Sequence, residues 1–323
     1  MTLTESWKCN SVNPSAADTM TTGMTRITPM VGLLYNPAVP IVLDAIGARV
    51  DFVEVIPDRL WYDCGIGAPH RFSHARAALD ALRRYARDRA IIGHGIGLSL
   101  PSVMPRDAGL LDEVVASHRA LNYRWYSEHL SLFLVPNRSL PNAQAGLGLP
   151  VVLDQETLAL IGSKVQRLSE ALDTRLLLEN GTSFAAIPEP DMSEPAFFNR
   201  LHAETGCGML LDLHNLYANT LNLGISADAY VSELDPEIVV EIHLAGGDWL
   251  KGHYTDSHSR LTPAPVWAWA HAWAPRLPNL AAITFEYHAS SHKRLSLAGM
   301  PREIELMHAL ADKVAASRVG AGA

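Results

Sequence analysis

The residues best equipped for chemistry in this chain are histidines, aspartates and glutamates that close short apolar runs. Val239-Val240-Glu241-Ile242-His243-Leu244 is a β-branched run ending near a histidine, and it passes through Ala245-Gly246-Gly247 to Thr255-Asp256-Ser257-His258-Ser259. Such a run reads as a buried strand entering a loop. The arrangement recurs. His94 follows an apolar run at 90–93, Glu128 one at 123–127, Glu179 one at 175–178, Asp212 one at 209–211 and Glu286 one at 281–285, with His214 just beyond Asp212. Taken singly, each is an ordinary polar side chain hydrogen-bonded to a loop backbone. Taken together they imply more, because carboxylates crowded into one place repel each other and shift their pKa values upward unless cations sit between them.

The donor types narrow the cation. Imidazole and carboxylate without cysteine suit iron, manganese or zinc, and the candidates His94, Glu128, Glu179, Asp212, His214, His243, Asp256, His258 and Glu286 exceed what one four- or six-coordinate ion can use. Two or three ions are therefore expected. Composition does not choose between iron and zinc.

These groups converge only if the elements carrying them share one end of the fold. From residue 28 onward, β-type runs at 30–35, 50–56, 90–93, 123–127, 175–178, 209–211, 239–242 and 281–285 alternate with amphipathic runs. Helices are expected at 39–47, 73–89, 110–119, 155–172, 194–204, 227–234, 265–274 and 302–317, with Asp154 as the N-cap of the fourth. Regular β-then-α units without a dinucleotide glycine fingerprint favour a closed TIM (β/α)8 barrel over an open sheet. Its mouth is built from strand ends and the loops after them, where the polar residues fall. Residues 1–27 read as a flexible N-terminal extension and 28–323 as a single barrel domain, with a Pro/Asn/Gly-rich loop at 136–150.

Composition removes several function classes. The chain has 323 residues, 48% hydrophobic, enough for a large core, and a net charge of −8 that argues against a non-specific nucleic-acid surface. Three scattered cysteines without C-x-x-C indicate neither a disulfide framework nor a zinc ribbon, and no apolar stretch is long enough to cross a bilayer. A cytoplasmic enzyme is expected. Trp267, Trp269 and Trp273 partly follow helical spacing and read as barrel packing, as does the 300–307 segment. Tyr287, His288 and His292 follow the last strand, where they either line the mouth or sit in a solvated loop.

The motifs themselves resemble a known family. Ser127-Glu128-His129-Leu130, Leu178-Glu179-Asn180, Gly206-Cys207-Gly208-Met209-Leu210-Leu211-Asp212, Glu241-Ile242-His243-Leu244-Ala245-Gly246 and the Asp256-Ser257-His258 segment before Val266-Trp267 look like those of the DUF692 family. These are multinuclear non-heme iron-dependent oxidases, including the methanobactin-biosynthesis and 3-thiaglutamate-biosynthesis enzymes. The likeness runs from Val31 to the last helix. It implies a xylose-isomerase-like TIM barrel with two or three irons that uses O2 to modify a residue, often a cysteine, of a ribosomally made precursor peptide. A small partner protein that presents the peptide leader commonly accompanies such enzymes.

Carried over by position, His94, Glu128, Glu179, Asp212, His243, Asp256, His258 and Glu286 would hold the metals. Asn180 and Asn215 would be further ligands or substrate contacts, with Tyr287 beside the substrate. Asp256 is also the candidate base, next to His258. The chain departs from the pattern in three places. A G-L-R-x-x-H motif on the first strand is here Gly32-Leu33-Leu34-Tyr35-Asn36-Pro37, without the Arg and His. Asp58-Arg59 replaces a Glu-Asn pair, although Glu54 matches, and His214 stands where Asn is common. The competing expectation is a divalent-metal sugar isomerase or hydrolase on the same barrel type, with the metal as Lewis acid or water activator.

Overall fold

The computed structural model describes residues 28–46, 49–65, 67–103, 108–134, 144–187, 190–291, 295 and 299–320; the N-terminal stretch 1–27 and His292 lie outside them. Eight parallel strands close into a barrel: β1 (Met30–Leu34), β2 (Phe52–Val55), β3 (Ala90–Gly95), β4 (Tyr126–His129), β5 (Leu176–Glu179), β6 (Gly208–Asp212), β7 (Val239–Leu244) and β8 (Ala282–Phe285). Each pairs with its neighbours in sequence, and β8 pairs with β1. The helices are α1 (Val39–Ile46), α2 (Arg76–Tyr85), α3 (Ala108–Leu121), α4 (Gln155–Leu172), α5 (Glu194–Thr205), α6 (Leu213–Leu223), α7 (Ala227–Glu233), α8 (Ala264–Trp273) and α9 (Gly299–Gly320). The TIM barrel expected from the alternation is the fold observed.

Period-2 alternation divides the strand side chains between two cores. Phe52, Ile92, Trp125, Leu177, Leu210, Val240 and Ala282 form an apolar cluster of their own, the plug inside the barrel. Residues such as Val31, Val53, Leu178, Met209 and Ile283 pack instead with helix residues such as Leu82, Val114, Ile161 and Leu310. Burying each such side chain contributes about 1.5–3 kcal/mol. The plug thus separates the polar mouth from the far end.

Local chemistry sets the helix ends. The Asp154 side chain accepts from Thr157 N at 2.7 Å, so the expected N-cap is the observed one. Asp212 caps α6 by accepting from Asn215 N at 2.7 Å. Gly206 and Gly224 end α5 and α6 with φ of 73° and 71°, a region where a Cβ is strained.

Among the described residues, three antiparallel hairpins are added between strands and helices, and two of them change the expected boundaries. Phe72–His74 pairs with Trp61–Asp63, so α2 begins at Arg76 rather than 73. Gln144–Leu149 pairs with Leu132–Leu134 inside the stretch expected as loop. The third, Asp248–Leu250 with His253–Thr255, follows β7. Trp267 and Trp273 are buried in α8, with Trp269 stacked on Trp273 at 5.2 Å, and Met300 and Met307 are buried in α9. Among the described residues no helix is long and apolar enough to cross a membrane.

Candidate metal centre

Strand register brings the first group together. His94 pairs with Ser127 across β3 and β4, and His129 with Glu179 across β4 and β5. His94 Nδ1 lies 2.8 Å from Ser127 Oγ, whose own hydroxyl donates to the Gly93 carbonyl at 3.3 Å. The ring therefore donates through Nδ1, which leaves the Nε2 lone pair facing inward. There His94 Nε2 is 3.1 Å from His129 Nε2 and 3.4 Å from Glu179 Oε2, and His129 Nδ1 is 2.8 Å from that same oxygen. Glu179 is held from behind: Asn215 Nδ2 donates to its Oε1 at 3.0 Å.

A second group forms around His243. A register shift leaves Val240 as an extra residue between the pairings of Val239 and Glu241 with β6, and such bulges re-aim side chains. His243 Nε2 lies 3.0 Å from Glu54 Oε2 and 3.6 Å from Glu241 Oε1, while Nδ1 lies 3.2 Å from Glu286 Oε2 and 4.0 Å from Asp212 Oδ2. Glu241 is anchored by Trp125 Nε1 at 2.7 Å and Thr284 Oγ1 at 2.5 Å, both donating to it. The His94 and His243 rings are 5.4 Å apart, so the two groups adjoin.

The outer lip carries a third set. Asp256 Oδ1 is 2.9 Å from His214 Nδ1 and 2.9 Å from His258 Nε2, and His258 Nε2 is 3.4 Å from Glu286 Oε2. His214 Nε2 faces the Tyr254 hydroxyl at 3.4 Å, so both its ring nitrogens face protein groups. Gly246 and Gly247 let this loop fold back onto β7. A Cβ on Gly247 would collide with the Thr255 carbonyl oxygen, and one on Gly246 with that of Leu261.

Most of the residues singled out from sequence meet here; Glu128 does not. Strand β4 runs to His129 instead of stopping at 127, so alternation turns Glu128 away from the cluster, to accept from the Tyr126 hydroxyl at 3.0 Å, and turns His129 into it. Asn180 spends its amide on the Asp212 backbone, donating to its carbonyl at 2.9 Å and accepting from its N–H at 2.8 Å. Asn215 accepts from the Thr182 hydroxyl and donates to Glu179 and the Asn180 carbonyl. Tyr287 is buried, stacked on Phe285, and His288 is exposed. Sequence reasoning did not pick Glu54, His129 or Glu241 as site residues. The signal for His129 was its place in the Ser-Glu-His run, and that for Glu241 its spacing of two from His243.

At the departures from the family pattern, Asn36 accepts from Ala38 N at 2.9 Å and donates to the Tyr287 carbonyl at 3.1 Å, which makes it a turn-forming residue. The Asp58 carboxylate accepts from Ile96 N at 3.2 Å. Among the described residues, β1 and the turn after it bring no His, Asp, Glu or Cys to the cluster.

Four overlapping trios have ligand atoms within 4.8 Å of one another: His94, His129 and Glu179; Glu54, His94 and Glu286; Glu54, Glu241 and His243; Glu179, Asp212 and His243. Glu54 Oε1, Glu179 Oε2, Asp212 Oδ2, His243 Nδ1 and His258 Nε2 are buried without a well-aligned hydrogen bond. Short contacts of poor hydrogen-bond geometry, such as that of His129 Nδ1 to Glu179 Oε2, are what lone pairs converging on a shared cation produce. The donor set therefore fits metal ions. Burial lowers the pKa of His94, aided by the neighbouring imidazoles, which favours the neutral ring a metal requires. Burial also pushes Glu54 and Asp212 well up, with Glu179 adding to the effect on Asp212. At the lip, burial opposes protonation of His258, but Asp256 and Glu286 overcome it and lift the ring to about 10.

A protein of Chromobacterium violaceum named UPF0276 protein is 34% identical over 234 residues, covering 63% of this chain and 80% of that protein. A UPF0276 protein of Caulobacter vibrioides is 30% identical over 249 residues, covering 75% and 80%. Among solved structures, a xylose isomerase domain containing protein from Salmonella typhimurium superposes with a TM-score of 0.55 at 12% identity, covering 90% of this chain and 99% of that one. The 3-keto-D-glucoside 4-epimerase from E. coli does so with a TM-score of 0.52 at 9% identity, covering 85% and 98%. At such identities the likeness is one of fold, the xylose-isomerase-like TIM barrel. The family described as RiPP precursor modification enzyme MbnB/TglH/ChrH matches residues 31–304, nearly the whole barrel, and the chain belongs to that family.

Proposed function

We propose that the protein is a multinuclear iron-dependent oxidase that uses O2 to modify a residue, with cysteine as the first candidate, of a ribosomally made precursor peptide. The observation that carries this reading is the surplus of ligand residues in the four overlapping trios, eight in all and more than a single ion can use, in a chain of this family. His94, His129, Glu179, Glu54, Asp212, His243, Asp256, His258 and Glu286 would hold two or three irons. Glu128 and His214 are left out: strand alternation turns the Glu128 side chain away from the cluster, and both ring nitrogens of His214 face protein groups. Iron bound there supplies redox cycling, O2 activation and deprotonation of a ligating thiol.

The chain's own groups prepare that chemistry. Ser127 fixes the His94 tautomer, Asn215 holds one oxygen of Glu179 while freeing the other, and the apolar plug beneath excludes water. Asp256 has two competing roles in this scheme, metal ligand and base. Its side chain and those of His258 and His129 are 24%, 21% and 19% exposed, whereas Glu54, Asp212 and His243 are closed off, so a substrate meets the cluster from this lip. Presentation of the peptide by a small leader-binding partner, and action in the cytoplasm, belong to the same proposal.

Iron quantitation and Mössbauer spectroscopy of anaerobically purified protein test it, with oxygen uptake measured on adding cysteine peptides. Two or more irons per chain and peptide-dependent uptake are expected. Zinc without iron, and no uptake, would overturn it. The sugar isomerase alternative shares the barrel, and anaerobic turnover of a ketose with magnesium or manganese would put it in first place.

A further inference from the structure

Beside the cluster lies a cavity of about 510 Å³, between the segments that follow β4 and β5 and the first turns of α5 and α7. One wall is aliphatic, with Leu130, Val151, Leu153 and Leu223. The charged groups in its lining are of one sign: Glu194 and Glu233 line it among neutral polar side chains such as Asn219 and Ser183, and among the described residues no lysine or arginine does. Tyr230 is 6% exposed, and its hydroxyl lies buried against the Glu194 carboxyl, to which it can donate, which leaves the hydroxyl lone pairs and the second carboxyl oxygen to a ligand. A buried hydroxyl and a carboxyl that face a cavity with spare hydrogen-bonding capacity mark a binding site.

The sign of the ligand follows from the balance of charges. Two helices begin at the cavity, and helix N-termini favour anions. Here Ser193 and Ser226 already cap them, accepting from Ala196 N and Ala229 N at 3.2 Å each. An anion would meet capped helices and two acidic groups, whereas a cation would meet those groups, its charge favouring the ionised form of Glu194, and the Tyr230 oxygen. The aliphatic wall adds the demand for an apolar stem below the charge, as lysine and arginine have.

We propose that this cavity binds a lysine or arginine side chain of the peptide substrate, its stem along Leu130 and Leu223 and its cationic head against Glu194 and Tyr230. Leu130 directly follows His129, and Gly181, also in the lining, follows Glu179 and Asn180. On this proposal a peptide anchored here reaches the cluster along the 130–131 and 181–183 segments, which would orient the residue to be modified. The assignment rests on the peptide reading above. It adds a sequence requirement to it.

Blocked pentapeptides without cysteine, with a central lysine, arginine, norleucine or glutamate, are titrated into the metal-loaded full chain by ligand-observed NMR. Lysine and arginine are expected to bind at least tenfold tighter than norleucine, and glutamate weakest. Glu194→Gln brings lysine down to the norleucine level, and Ala229→Trp, a change at an exposed wall position, weakens all four. Thermal melts confirm that both variants are folded. Equal binding of lysine and norleucine, or a lysine preference that survives Glu194→Gln, overturns the proposal. So does n-pentylamine binding as tightly as the lysine peptide, since the site would then serve free amines. A lysine preference in protein that fails to take up iron leaves the cavity standing and removes the oxidase reading; iron-loaded, oxygen-consuming protein without the preference does the reverse.

Discussion

The two halves of the barrel mouth are built differently. From β5 to β8 every strand delivers a carboxylate, and three of these are tethered: Asn215 donates to one oxygen of Glu179, its backbone N–H to one oxygen of Asp212, and Trp125 and Thr284 to Glu241. From β1 to β4 the supply is sparser. β2, β3 and β4 give Glu54, His94 and His129, and β1 gives none among the described residues. At Gly32 of β1 the inward space is taken by the Phe52 ring, and Asn36 is spent on the following turn. The difference separates anchoring from ligation. On the rich side, Glu179 and Asp212 each have one atom fixed and one left facing the centre.

The comparison breaks most visibly if a rich-side ligand is removed. His243→Ala should release metal and lower kcat/KM by about 100- to 1,000-fold, while Asn36→Ala on the poor side leaves metal content unchanged and costs about 1–2 kcal/mol in stability. Metal analysis and denaturant melts of the two variants decide it. A sharper contrast lies within β4: His129→Gln should lower metal stoichiometry and Glu128→Gln should not, although the two residues are adjacent. Metal loss from Glu128→Gln would mean that alternation misplaces that strand. Next in size is the tether, where Asn215→Ala should weaken metal binding by about 10- to 100-fold at unchanged stoichiometry under excess iron, read by competition with a chelator.

The smallest effect is one of pH, at Glu194 in the cavity beside the cluster. Burial raises Glu194 to about 7, so between the ordinary carboxylate range and that value the folded chain holds a proton that the unfolded chain has released. Stability should therefore fall as pH rises from about 4.5 to 7 and level off above, by about 1 kcal/mol given that the group is only partly shielded. Glu194→Gln should remove that slope in melts taken across the range, leaving any contribution from other groups.

Much of this was readable in advance, for identifiable reasons. The strands are continuous apolar runs because both their faces are buried, and the Asp154 cap is a local hydrogen bond that needs no tertiary partner. The position of β4 was harder. Tyr123 and Trp125 look as strand-like as Tyr126, and a boundary error of two residues sufficed to exchange Glu128 for His129. The hairpin strand at Gln144–Leu149 was hidden in a Gly/Pro-rich context, since its pairing with Leu132–Leu134 is non-local. Glu54 and Glu241 were visible as residues, but their meeting with His243 required the closed barrel and the bulge at Val240.

What the sequence determined by itself is the order of its β and α runs, the chemical types of the groups that close them, and through these the barrel and its family. Which of those groups face one another was decided by the closure of β8 onto β1, by the phase of each strand and by hydrogen bonds from neighbouring loops. The reason is physical: hydrophobic periodicity is a property of a local stretch, whereas the direction of a side chain at a strand end depends on register with a partner far away in the chain.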